Sequence, residues 1–147
     1  MPELKVLWEI QALDKQRKKL EAELREGQIS GELRFLKAEI EESRGVFNKL
    51  KEEYNSLKRD LKKKEMDADS TNLQADQLGQ KLYGGSITNV KEINSSSKKL
   101  ESLKETVRRT EDEMLSIMEH RDQVRARLEE MSAGLNKKAE EYRRLHG

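Results

Sequence analysis

Apolar residues recur at alternating spacings of three and four along most of the chain. That is the mark of helices that bury one stripe. Residues 3–26 predict a first helix, with Val6, Ile10, Leu13, Leu20 and Leu24 on one face and Leu4, Leu7 and Trp8 widening it near the start. Pro2 suits a helix beginning, where an amide would lack a partner anyway. The pattern falters at 27–31, Gly27-Gln28-Ile29-Ser30-Gly31. Each glycine disfavours helix by about 1 kcal/mol relative to alanine. The repeat also slips: Leu24 fits an a position of a heptad, and the next clear a, Leu33, comes nine residues later instead of seven. A kink or short break is expected there.

Residues 32–82 then carry heptads almost without fault. The a/d series runs Leu33, Leu36, Ile40, Ser43, Phe47, Leu50, Tyr54, Leu57, Leu61, Lys64, Ala68, Thr71, Ala75, Leu78, Leu82. Residues 90–146 repeat it with Ile93, Ser96, Leu100, Leu103, Val107, Thr110, Met114, Ile117, Arg121, Val124, Leu128, Met131, Leu135, Lys138, Tyr142, Leu145. Both read as coiled-coil seams, and the seven-residue period predicts a left-handed supercoil.

Between them lies one turn, the tip loop 83–89, Tyr83-Gly84-Gly85-Ser86-Ile87-Thr88-Asn89. Gly84 and Gly85 can take positive φ, so they end the first arm and reverse the chain. Asn89, three residues before Glu92, has capping-box spacing. Its side chain should accept the amide near Glu92, and Glu92 should reach back. A short turn makes the arms antiparallel neighbours. With Leu82 opposite Ile93, Leu61 meets Met114, Leu57 meets Ile117, Leu50 meets Val124, Phe47 meets Leu128 and Ile40 meets Leu135. Lys64 falls by Glu111, and Arg121 by Tyr54. Helix 3–26 finds no partner in this count. Its apolar face must fold back, pair with another copy, or meet a continuation of the chain beyond residue 147.

Composition narrows the class. Charged residues make up 40% of the chain, hydrophobic ones 33% and aromatics 4%. That is too little for a thick core, and the sustained period decides for thin helices over disorder. The expected fold is all-α: one coiled-coil domain over 1–147, a long antiparallel hairpin with a kinked or broken N-terminal helix. Thirty basic residues face 29 acidic ones, so no strong overall field draws nucleic acid or an anionic membrane. Cysteine is absent, which removes disulfides, thiolate zinc sites and cysteine nucleophiles. No apolar run approaches a membrane span, and the N-terminus lacks the pattern of a signal peptide. A cytoplasmic protein is expected.

Three stretches resemble a bacterial family in which a coiled-coil hairpin precedes a C4-type zinc ribbon. Gln11-Ala12-Leu13-Asp14 resembles the family's "lqelD" start. Leu82 to Ile93, Leu-Tyr-Gly-Gly-Ser-Ile-Thr-Asn-Val-Lys-Glu-Ile, resembles its tip, "lY.g.v.n.KEl". Leu100-Glu101-Ser102-Leu103-Lys104 matches the following "eieslk". Val90 stands where the family often has proline. The ribbon is missing with its cysteines, so no metal-binding role passes to any residue here. Zinc would belong to a full-length relative, and no cofactor is expected in this chain. The resemblance implies partner binding, with members associated with transcription, flagellar or secretion machinery.

Catalytic chemistry finds little footing. His120 and His146 are the two histidines, and neither has a second histidine or a cysteine at ligand spacing. Gly84-Gly85-Ser86 lacks the Gly-Lys-Ser/Thr of a phosphate loop. Hairpins that enter the secondary channel of RNA polymerase carry acidic residues at the tip, and 83–90 contains none. Lys62, Lys63 and Lys64 fall near Arg108 and Arg109 and make one basic belt midway along the arms, without stacking aromatics. The reading is a non-enzymatic protein-binding scaffold or adaptor. Tyr83, Gly84, Gly85, Ile87 and Asn89 are the candidate partner-binding residues. Trp8, Ile10, Leu13 and Leu20 are candidates for self-association into a homo-oligomer. The alternative is a nucleic-acid-binding protein using the basic belt or the missing ribbon.

Overall fold

The heptads build an all-α helical hairpin of two helices, α1 (Pro2–Tyr83) and α2 (Val90–His146). The computed structural model describes residues 2–146. Contacts group the chain into two compact units. One holds Asn48–Glu130, and the other the residues up to Phe47 together with those from Met131 on.

The Asn48–Glu130 unit contains the tip and most of the buried side chains: Ala68, Ala75, Leu100, Val107 and Val124. The expected register places Ala75 opposite Leu100 and Ala68 opposite Val107. A small residue therefore faces a large one at each of these levels, which lets the arms approach closely. Two ties between the arms bracket that register. Lys64 Nζ lies 2.5 Å from Glu113 Oε2, and His120 Nε2 lies 3.1 Å from Glu53 Oε1. The two ties run antiparallel. The polar seam positions Thr71 and Thr110 donate their hydroxyls to the carbonyls of Asp67 and Thr106, one turn back on their own helices. Those bonds satisfy them without a partner across the seam.

In the unit of the two chain ends, Leu36 is the buried residue. The Lys138 ammonium reaches the Ser43 hydroxyl at 3.4 Å, so two polar seam positions answer each other across the arms. In both units every expected a/d position from Leu33 to Leu82 and from Ile93 to Leu145 is buried or half-buried.

Two expectations need correction. Residues 27–31 stay α-helical, so no break separates 3–26 from 32–82. Two glycines cost about 2 kcal/mol in all, which helical turns on both sides can hold. The nine-residue slip is a change of face: nine residues turn an α-helix about 180° away from the starting direction. Lys64 pairs with Glu113 and not Glu111. Those two glutamates are about 200° apart around α2, on opposite flanks of the seam, and residue pairing alone ignores the flank. The Arg121 guanidinium holds Asp122 at 3.2 Å, and the Tyr54 ring carries the Lys58 ammonium 5.6 Å from its centroid.

The Lys64–Glu113 tie sets a pH response. Its hydrogen bond, and then the attraction of the opposite charges, raises the Lys64 ammonium above the ordinary lysine range and lowers Glu113 below the ordinary carboxylate range. A depressed carboxylate contributes stability above its unfolded pKa and loses it as pH falls through the folded value. A raised ammonium contributes below its unfolded pKa and loses it as pH rises through the folded value. The tie should therefore act across neutral pH and vanish in acid and in strong alkali. Glu113→Gln should flatten the acid limb of a melting-temperature profile slightly. An unchanged limb would mean that solvent screens the pair completely.

Candidate contact surfaces of the hairpin

The tip is the most specific stretch of the sequence, and its backbone is tightly fixed. The Gly84 amide donates to the Gln80 carbonyl at 2.8 Å, closing the last turn of α1. Gly85 follows with φ +80°, the left-handed conformation that reverses the chain. Asn89 then caps α2: its Oδ1 accepts the Lys91 amide at 2.9 Å, and its carbonyl accepts the Ile93 amide at 2.9 Å. The expected capping box is half made. The side-chain bond goes to Lys91, one residue short of Glu92, and Glu92 makes no return bond among the described residues. Glu92 stays in the first turn, where its charge favours the positive end of the helix dipole.

The two tip glycines serve different needs. A Cβ on Gly84 would sit 2.5 Å from the Gln80 carbonyl oxygen, while one on Gly85 meets open space but an unfavourable φ. Gly85→Ala should cost about 1–2 kcal/mol, and Gly84→Ala should displace the last turn of α1. Gly79→Ala, inside the helix with nothing near its Cβ, should instead stabilise by up to about 1 kcal/mol. Urea unfolding of the three variants would check the opposite signs.

Of the tip candidates, Tyr83 is 80% exposed, while Ile87 is half-buried. Gly84, Gly85 and Asn89 act through the backbone and the cap. Exposure therefore separates the two: Ile87 is partly covered, and Tyr83 is open to solvent.

The N-terminal candidates are all exposed. Ile10, Leu13 and Leu20 lie on one side of α1. Trp8 lies well round the helix from them and lines a shallow cleft with Gln11, Ala12, Asp14, Lys15 and Lys18. Sequence reasoning grouped the four by apolarity; helical phase divides them.

The basic belt is partly neutralised. Lys64 is held by Glu113, and Arg108 lies 3.2 Å from Glu105. His120 faces Glu53, and the His146 ring stacks on Tyr142 at 5.8 Å. Among the described residues no group of three or more His, Cys, Asp or Glu is gathered to hold a metal ion. No described helix is long and apolar enough to cross a membrane.

No curated protein and no solved structure matches the chain. A family model does, that of the CT398-like coiled coil hairpin domain, over residues 10–146. That match covers both arms and the tip between them, and with the antiparallel helices described above it shows that the chain belongs to this family of coiled-coil hairpins.

Proposed function

We propose that the hairpin is a non-enzymatic scaffold or adaptor that binds a protein partner in the cytoplasm through its tip. The observation that carries this reading is Tyr83. It is a largely exposed aromatic beside a turn fixed by the Gly84–Gln80 bond and the Asn89 cap. An aromatic at the end of a helix loses little backbone entropy when it is buried by a partner, and such residues dominate binding energy at many interfaces. The tip is also the most distinctive part of the family resemblance. Partners in transcription, flagellar or secretion machinery are the first to try. Pairing of Lys64 and Arg108 with glutamates weakens the basic belt as a nucleic-acid groove and favours the protein reading.

Tyr83→Ser combined with Ile87→Ser tests it, with capture from the native host and melting measured on the same samples. Lost capture with an unchanged melting temperature supports a contact site. Capture that survives, or helicity lost in parallel, sinks it.

A further inference from the structure

Beyond the tip, α1 carries a second apolar ridge that the hairpin seam does not use. Leu13, Leu24, Phe35 and Val46 follow one another at intervals of eleven, and all four are exposed. Eleven residues make three turns, so the four line one side of the helix. Val6, Ile10 and Leu20 fill the same side near its start. Phe35 follows the seam residue Leu33 by two positions, about 200° round the helix. The ridge thus faces away from the seam at that level.

Charge tells what fits against it. Glu3, Asp14, Glu21 and Glu32 are exposed and recur at intervals of eleven, seven and eleven. That places them in a row about 60–100° from the ridge, four acids with the exposed base Arg25 beside them. Arg17 stands between Asp14 and Glu21, but at 4.0 and 3.9 Å and in solvent it screens them weakly. The other flank mixes Lys5 and Arg34 with Glu9 and Glu23. Gly27 and Gly31 interrupt the ridge between Leu24 and Phe35, and a Cβ on either would meet nothing within 4 Å. They leave a notch that a large side chain can enter.

We propose that this ridge docks a basic amphipathic helix of a partner protein, with an apolar stripe against Leu13, Leu24, Phe35 and Val46 and lysines or arginines along the acidic row. A second copy of this chain fits poorly. Antiparallel pairing sets the acidic row against itself, and parallel pairing sets it against a flank with as many acids as bases. A helix prolonging α2 along the seam fits no better. It would follow Ile29, Glu26, Ala22, Lys19 and Lys15, the heptad positions leading back from Leu33, and would leave the ridge bare.

The test uses the full chain and two synthetic helical peptides with the same leucine stripe, one flanked by lysines and the other by glutamates. Fluorescence anisotropy should show the lysine peptide binding at least about tenfold tighter, with the advantage fading in high salt. Leu24→Ser with Phe35→Ser should weaken the lysine peptide at least about tenfold while helicity and melting stay unchanged. Gly27→Leu with Gly31→Leu should raise the melting temperature yet weaken the lysine peptide, a split that a purely structural role for the notch does not produce. Equal binding of both peptides, or binding indifferent to the ridge variants, overturns the proposal. So does a dimer in sedimentation that Leu24→Ser with Phe35→Ser dissolves, because the occupant is then a second copy. None of these residues lies in 83–89, so the tip reading stands or fails separately.

Discussion

Val124→Asp is expected to be the most damaging single substitution in the Asn48–Glu130 unit. Val124 is the most buried side chain among the described residues, at 3% exposure, and no buried polar or charged residue accompanies it there. A carboxylate placed there must shed its water without a partner, or force the arms apart to reach solvent. The cost should be about 3 kcal/mol, lowered if the seam opens locally. The loss should also depend on pH with a definite sign. Burial raises the folded pKa of the introduced carboxyl above its unfolded value. The charge penalty is then fully present above the folded pKa, shrinks as pH falls through it, and is gone below the unfolded pKa, where the group is neutral in both states. Thermal melting of wild type and variant at neutral and mildly acidic pH would show the gap narrowing in acid. A gap that is small at both values would mean that position 124 is wet.

Leu100→Ala comes next, at about 2–4 kcal/mol, because removing a buried leucine loses both transfer energy and the contacts around the space left behind. Its opposite position, Ala75, is equally buried. Ala75→Leu alone should overpack the seam at about 1–3 kcal/mol. The double variant, Ala75→Leu with Leu100→Ala, restores the summed volume and should recover much of both losses. The coupling in this double-mutant cycle reads the register directly, since sites that do not touch add. Simple additivity would show that Ala75 and Leu100 do not face each other. Leu57→Ala should cost less than Leu100→Ala, because Leu57 is only half-buried.

The seam was legible because its signal is repeated. A single leucine says little, but thirty-one positions at one period leave no other helix face for the hairpin to use, and all of them are covered. The tip was legible for a different reason: glycine and asparagine at a helix junction have few alternative uses. Side-chain partners were less so. Lys64 reached Glu113 because a long flexible chain chooses by flank, which heptad letters alone do not resolve. Gly27 and Gly31 misled because two glycines look like a stop, yet an established helix absorbs them. The same slip that suggested a break carried the ridge. A change of phase within a continuous helix and an interruption of that helix leave nearly the same trace in sequence. Eleven-residue spacing was the signal that would have separated them.

The tip turn also orders the folding of the chain in time. Lys64 and Glu113 are 49 residues apart, whereas Ser43 and Lys138 are 95 apart. Closing the longer loop from the open chain costs more entropy, but once the inner contacts exist the outer ones have only a short stretch left to close. Zippering from residues 84–89 outward is therefore the cheapest route, each pair of turns templating the next. The last bonds made are those farthest from the tip, and they are the first to open. Slow amide exchange should thus be concentrated around Ala75 and Leu100 and decline toward both chain ends, as the residual cost of reopening each level.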